Sequence, residues 1–252
     1  MGRKIFSLAI SLAALLVLYG FAPHKYTEVK TLVTRPHGKL NLLFESPESP
    51  SKNILVLFFG KNGRANVPNI LGRASPLFLK KGLPVVIVDS AFYRLSSRTR
   101  PEHLEDMRKV VEYLESRGFE SIYLVGTSNG TISVAYIGSL LNDAKIKGLV
   151  LSATQSYYIK KHVAVERTPY PVLFIHHRYD DCPDNSYDET VKISKKFTGS
   201  PKVDFVTVNG GMNEQPISCS DMTYHDLWKR EKEVAQTITD WVFGKNIPKE
   251  ID

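Results

Sequence analysis

Ser128 lies between two glycines, each two residues away, in the segment Gly-Thr-Ser-Asn-Gly at positions 126–130. The apolar run 122–125 precedes this segment, and residues 131–141 after it have helical spacing. Between a strand and a helix, this pattern is typical of a tight turn that raises the serine hydroxyl clear of the sheet. The alternative is an ordinary glycine turn, because such turns are common. The strand and helix on either side favour a serine nucleophile for acyl transfer.

A serine hydroxyl becomes a good nucleophile only when a positioned imidazole takes its proton. The chain has seven histidines, at positions 24, 37, 103, 162, 176, 177 and 225. Only His225 follows every candidate acid downstream of Ser128, as the chain order serine, acid, histidine of doubly wound hydrolases requires. We therefore expect His225 to be the base. The alternative is a histidine without a catalytic role at the start of a helix.

The acid that orients the base should follow the carboxyl end of a strand, where active sites of open α/β sheets form. The apolar run 172–175 is followed by His-His-Arg-Tyr-Asp-Asp at 176–181. Asp180 stands four residues after His176, which is the spacing of the strand-His-Gly-x-x-Asp pattern in doubly wound hydrolases. We favour Asp180 over Asp181 and expect His176 and His177 to be structural.

These residues need a sheet that brings the ends of several strands together. Apolar runs that alternate with helical patterns predict an α/β fold with a mostly parallel sheet and helices on both faces. Residues 28–34 and 40–44 should form an antiparallel pair, and a final helix is expected from His225 or Asp226. The predicted strands cover residues 54–59, 84–88, 122–125, 146–151, 172–175 and 203–208, and a helix is expected at 104–114.

The connection between the strands at 146–151 and 172–175 is only about twenty residues long, which is too short for a large helical lid domain. The serine should therefore lie in an open cleft. Tyr157 and Tyr158 fall in this connection, and they either line the cleft or form an aromatic pair on the surface.

Cys182 and Cys219 are the only cysteines. An even pair in an exported chain suggests a disulfide, and two buried thiols are the alternative. A zinc site is not expected, because other ligands at suitable spacing are lacking.

Residues 40–245 resemble the α/β-hydrolase fold superfamily, and within it the compact dienelactone-hydrolase-like branch. The resemblance rests on the segments at 124–130 and 176–182 and on the helix predicted at His225. A group of exported hydrolases is similar, with a His-His-x-x-Asp-x-Cys segment and a second cysteine shortly before the catalytic histidine. The resemblance implies an α/β-hydrolase fold, a Ser128–His225–Asp180 triad and a Cys182–Cys219 disulfide.

Such a disulfide would tie together the two loops that carry the acid and the base. Closing the loop between Cys182 and Cys219 would stabilise the fold by roughly 4 kcal/mol on the chain-entropy model. Positioning matters as much, because a displacement of about 1 Å in a triad can lower the rate on the order of a hundredfold.

An oxyanion requires two N–H donors. One is expected from the backbone of Asn129, directly after the serine. The second should come from the loop that follows the strand at 54–59, where the donor best matches Lys61, with Asn62 as the next candidate. Phe59 stands where the family usually has a histidine. A plain glycine turn is the alternative interpretation of this loop.

The chain begins with a segment typical of export. Arg3 and Lys4 precede an uncharged apolar stretch from residue 5 to 22. Residues 1–22 are therefore expected to be a signal peptide or an N-terminal membrane anchor, and residues 23–252 the α/β-hydrolase domain. The formal charge of +7 is not organised into basic runs with aromatic residues, so we expect no nucleic-acid partner.

The sequence thus predicts an exported serine hydrolase, periplasmic or secreted, that cleaves an acyl bond through an acyl-enzyme. A small-molecule ester is the leading substrate class, and amides, thioesters and peptides are the others. No cofactor and no metal are expected, and membrane contact is expected only through an uncleaved N-terminal segment. The alternative is a catalytically silent α/β-hydrolase-fold binding module. The sequence does not indicate the oligomeric state.

Overall fold

The computed structural model describes residues 26–36, 38–66, 69–90 and 94–252. The predicted signal peptide or anchor at 1–22 lies outside these residues. Within the described residues, no helix has both the length and the apolar character needed to cross a bilayer.

The described residues contain a nine-stranded sheet with the order β1-β2-β4-β3-β5-β6-β7-β8-β9. The pairs β1–β2 and β2–β4 are antiparallel, and the remaining pairs are parallel. The strands are β1 Glu28–Arg35, β2 Gly38–Glu45, β3 Asn53–Phe58, β4 Val85–Ser90, β5 Ser121–Thr127, β6 Ile146–Ser152, β7 Val172–His177, β8 Val203–Val208 and β9 Glu250–Ile251. The mostly parallel sheet and its antiparallel edge pair are confirmed.

The central strands have apolar side chains on both faces, because helices cover the sheet from both sides. Along β3, Ile54 and Val56 pack into one buried cluster, whereas Leu55 and Leu57 pack into the other. The helices are α1 Ile70–Lys80, α2 Pro101–Ser116, α3 Gly130–Leu140, α4 Ser156–His162, α5 Tyr187–Ser194 and α6 Glu231–Val242. The residues of α1 and α6 belong to one cluster, and those of α2, α3 and α5 to the other.

The last helix begins later than the sequence indicates. We expected it from His225 or Asp226, but α6 starts at Glu231. Residues 222–229 instead contain turns, and Met222, Leu227 and Lys229 have positive φ angles of 58°, 49° and 63°. A helix cannot pass through such residues. His225 therefore lies in an irregular segment that other parts of the molecule must hold in place.

The connection between β6 and β7 contains only α4 and a short 3₁₀ turn, so no large lid is present there. Tyr157 on α4 is exposed, and the Tyr158 ring packs 4.2 Å from the ring of His162. Neither tyrosine lines the cavity at Ser128 described below.

Candidate active site

Ser128 lies at the turn between β5 and α3, with a φ angle of +50°. A left-handed backbone at a residue other than glycine is strained and often marks a functional position. The two flanking glycines are needed because the chain is crowded. A Cβ on Gly126 would lie 2.7 Å from the backbone of Gly130, and a Cβ on Gly130 would lie 1.9 Å from the Phe58 carbonyl oxygen. The turn thus has the geometry that the sequence pattern predicts.

The side chains of Ser128, His225 and Asp180 lie in one line of contacts. The His225 Nε2 is 3.0 Å from the Ser128 Oγ, and the His225 Nδ1 is 2.9 Å from the Asp180 Oδ2. Asp180 and His225 are buried, whereas the neighbouring Asp181 is exposed. Of the two acids that the sequence offered, the structure therefore brings Asp180 to the histidine.

The electrostatics of the pair follow from its burial and its proximity. Burial raises the pKa of Asp180, but the His225 charge and hydrogen bonds from His176 and His225 outweigh it and hold the pKa well below its usual range. Burial lowers the pKa of His225, but the Asp180 carboxylate outweighs it, so the pKa is raised above its ordinary value. An imidazole with this surrounding is well suited to accept a proton.

The loop after β3 passes directly beside the serine. A Cβ on Gly60 would lie 3.0 Å from the Ser128 Cβ, so only glycine fits there without displacement. Lys61 has a φ angle of +46°, and its carbonyl oxygen accepts a hydrogen bond from the Asn129 side-chain amide at 3.2 Å. Within the described part of the chain, the backbone N–H groups of Lys61 and Asn129 donate to no other residue. Both groups therefore remain available to a ligand.

Arg98 fixes the start of this loop. Its side chain is fully buried, and it donates to the Phe59 carbonyl oxygen at 2.9 Å and to the Ser133 Oγ at 2.8 Å. It thereby joins the loop after β3 to the helix that follows Ser128. The sequence analysis missed Arg98, because a lone arginine between two elements carries no motif.

A disulfide joins Cys182 to Cys219, as expected. Cys182 is buried and its backbone N–H donates to the Asp180 Oδ1 at 3.0 Å, whereas Cys219 is exposed and lines the cavity at Ser128. The bridge therefore attaches the segment before His225 directly to the turn that carries Asp180.

A second attachment holds the His225 segment to α1. The buried Asp226 carboxylate accepts hydrogen bonds from the backbone N–H groups of Ile70, at 2.9 Å, and Met222, at 3.3 Å. Arg73 forms an ion pair with it at 2.7 Å and stacks over the Trp228 ring, 4.8 Å from the ring centre. Arg73 and Asp226 were not singled out from the sequence, because they lie more than 150 positions apart in the chain.

His177 and Arg178 contact the chain between the end of β8 and His225. His177 Nε2 donates to the Gly210 carbonyl oxygen at 2.8 Å, and the ring stacks on Tyr224, next to His225, at 4.3 Å. Arg178 donates to the Asn209 side chain at 2.9 Å. The structural role expected for His177 agrees with these contacts.

A small cavity opens at Ser128. Lys61 and Asp221 form an ion pair at 3.1 Å in its wall, and both side chains are partly exposed. Among the described residues, the cavity is lined by Gly60, Lys61, Asn69, Thr127, Ser128, Cys219, Ser220, Asp221, His225 and Asp226. In the same part of the chain, no cluster of three or more His, Cys, Asp and Glu side chains could hold a metal ion.

No family model matches the sequence, and no curated protein matches it. Solved structures are similar in fold. Est1E from Butyrivibrio proteoclasticus has a TM-score of 0.63 at 16% identity, over 86% of this chain and 98% of that chain. Dienelactone hydrolase from Anabaena variabilis has a TM-score of 0.62 at 12% identity, over 86% and 98%.

Alpha/beta hydrolase domain-containing protein 10 from mouse is similar as well, with a TM-score of 0.61 at 14% identity, over 86% of this chain and 99% of that chain. Identities this low carry the fold and not the substrate. Sheet order, the strand–serine–helix turn and these likenesses together show that the chain has the α/β-hydrolase fold.

Proposed function

We propose that this chain is a serine hydrolase that cleaves a carboxylic ester. The observation that carries the proposal is the line of contacts from Ser128 through His225 to Asp180, at 3.0 Å and 2.9 Å. A nucleophile, a base and an acid in this order and at these distances form a catalytic triad. The fold shared with esterases supports the same reaction class.

In the proposed reaction, the Ser128 Oγ attacks the acyl carbonyl carbon while its proton passes to the His225 Nε2. The carbonyl oxygen becomes an oxyanion, which accepts hydrogen bonds from the backbone N–H groups of Asn129 and Lys61. Asp180 keeps the proton on the His225 Nδ1 and stabilises the imidazolium. His225 then donates its proton to the leaving alcohol.

The acyl-enzyme is resolved by water. His225 takes a proton from the water as it attacks the acyl carbon, and returns that proton to the Ser128 Oγ when the acid leaves. This sequence of steps needs no cofactor and no metal. Esters are the favoured substrates because an alkoxide leaves more readily than an amide nitrogen, and thioesters, amides and peptides are the other acyl classes to test.

We further propose that the protein acts outside the cytoplasm, in the periplasm or as a secreted protein. The Cys182–Cys219 disulfide supports this location, because disulfides persist in oxidising compartments. The basic and apolar pattern at 1–22 supports export, with membrane contact restricted to this segment if it is retained.

The activity is tested by labelling the purified, disulfide-intact protein with a fluorophosphonate probe, beside the Ser128→Ala variant. We expect the wild type to be labelled and the variant to remain unlabelled at equal protein concentration. If the folded wild type is not labelled, the chain is not a serine hydrolase, and a binding module with this fold becomes the better explanation. Hydrolysis of short p-nitrophenyl esters then tests the substrate class.

A further inference from the structure

His176 contacts the same carboxylate oxygen as His225. Its Nε2 lies 3.1 Å from the Asp180 Oδ2, the oxygen that is 2.9 Å from the His225 Nδ1. His176 is completely buried, as is the Asp180 side chain. The His176 Nε2 is within hydrogen-bond distance of this oxygen but, unlike His225, does not form a regular hydrogen bond with it. One oxygen atom therefore lies close to two imidazoles.

The tautomer of the His176 ring follows from the contact of its other nitrogen. The backbone N–H of Thr154, directly after β6, donates to the His176 Nδ1 at 3.2 Å. A ring nitrogen that accepts a hydrogen bond carries no proton, so the neutral ring holds its proton on Nε2. His176 thus directs an N–H group at Asp180.

The second oxygen of Asp180 is held as well, because its Oδ1 accepts the Cys182 backbone N–H at 3.0 Å. The carboxylate thus has three neighbours: His176 at the end of β7, the Cys182 backbone N–H in the following loop, and His225. Rotation of the carboxylate would break at least one of these contacts.

We propose that His176 is a positioning residue of the triad, which holds the Asp180 Oδ2 toward His225 and weakens that oxygen as a proton acceptor. The inference depends on the proposed function, since it assigns His176 a part in the same reaction. Hydrogen bonds to a carboxylate favour its charged form and reduce its basicity. Without the His176 N–H, Asp180 should attract the proton on His225 more strongly.

Other charged groups near the pair stay in place when His176 is changed. The charges of Asp226 and Asp181 raise the pKa of His225. The pKa of Asp226 is in turn lowered by Arg73 from α1 and raised by Asp221. The Lys61 ammonium forms an ion pair with Asp221. His177 on β7 and the Tyr187 ring on α5, 6.2 Å away, also lie near the His176 ring. A shift in the His225 titration on changing His176 would therefore report the contact with Asp180.

The test uses two variants of the full chain. In His176→Gln, an amide N–H can reach the position of the lost Nε2–H, whereas His176→Phe fills the space without a donor. Both variants lose the acceptor of the Thr154 N–H, so the comparison between them isolates the donor to Asp180. The measurement is the rate of fluorophosphonate labelling of Ser128 against pH, with circular dichroism as a check of folding.

At low pH the labelling rate should rise with pH as His225 loses its proton, and we call this part of the profile the acid limb. We expect the acid limb to lie about one pH unit higher in His176→Phe than in the wild type, which lowers the rate about tenfold at pH values below the limb. His176→Gln should keep the limb within a few tenths of a unit of the wild type. A side chain that only fills the core would lower the rate at every pH without moving the limb. Unchanged limbs in both variants, or equal shifts in both, would overturn the proposal.

A second measurement needs no variant of His176. In the wild type labelled with ¹⁵N-histidine, we expect the nitrogen shifts of His176 to be those of a neutral ring with its proton on Nε2, and to move when His225 titrates. A ring protonated on Nδ1 would overturn the proposal even if the Phe variant did not fold. Failure of the wild type to be labelled would instead remove the hydrolase function itself.

Discussion

The backbone at Ser128 has a positive φ angle, and that strain is maintained by tight packing around the two flanking glycines. Gly130 is the more crowded of the two, since a Cβ there would meet the Phe58 carbonyl oxygen at 1.9 Å. Ser128 adopts its left-handed conformation between these two crowded glycines. At the scale of single residues, the turn that carries the nucleophile therefore depends on the absence of side chains at the two flanking glycines.

Gly130→Ala should therefore destabilise the fold by about 3 kcal/mol or more, because the backbone of β3 cannot move away from the added methyl group. Gly118→Ala is the control for an added methyl group without a clash, since Gly118 has open space around its Cβ position, although its φ angle is positive and that of Gly130 is not. The control should lose only about 1–2 kcal/mol. Urea unfolding monitored by circular dichroism measures both, and similar losses would contradict the steric explanation.

The Asp180 carboxylate should also make stability depend on pH. Its pKa in the folded state lies below the value of about 3.9 of an unfolded chain, so its stabilising effect is present above that value and is lost as the pH falls. We expect the free energy of unfolding to decrease more steeply from pH 5 to pH 2 in the wild type than in Asp180→Asn. Equal slopes in urea unfolding would show that this carboxylate is not stabilised in the fold.

The same substitution should lower the rate of fluorophosphonate labelling roughly 10³- to 10⁴-fold, since the amide no longer holds His225 in the required tautomer. Asp181→Asn is the control, because Asp181 is exposed and lies outside the line of contacts.

At the scale of secondary-structure elements, the sequence predicts the strands well because each central strand is buried on both faces and appears as a continuous apolar run. Residues 203–208 also match β8 in full, although this strand lies next to the edge of the sheet and its first three residues are not buried. The helix α1 was not predicted, since Pro76 lies inside it and a proline within a helical pattern indicates a break. The position of His225 before α6 depends on contacts with Arg73 and the disulfide, which are distant in sequence and leave no local signal.

Arg73→Gln should release the segment that carries His225 from α1. Its ion pair with Asp226 and its hydrogen bond to the Asp226 carbonyl oxygen at 3.0 Å would be lost. We expect the labelling rate to fall about ten- to a hundredfold, because a misplaced base is a poor catalyst. Lys52→Gln, which breaks an exposed ion pair with Glu120, should leave the rate unchanged. If both variants react like the wild type, α1 does not position the base.

At the scale of the whole molecule, the disulfide closes a loop between residues 37 positions apart. Cys182→Ala/Cys219→Ala should lower the free energy of unfolding by roughly 4 kcal/mol or less, and the labelling rate should fall because the acid and base segments are no longer joined. Because Cys219 is exposed, dithiothreitol should produce the same effects in the wild type and none in the double variant. Full labelling of the folded, reduced protein would show that the bridge has no part in positioning.

The order of the strands also separates the proposed catalytic groups along the chain, with the serine in the first part and the acid and base in the second. Ser128 follows β5 and the Lys61 loop follows β3, whereas Asp180 follows β7 and His225 follows β8. A growing polypeptide thus presents its serine about a hundred residues before the base has been synthesised. Under the proposed assignment, a chain that ends before His225 cannot cleave an ester, and reactivity is gained only after β8 and the segment that carries the base have been added.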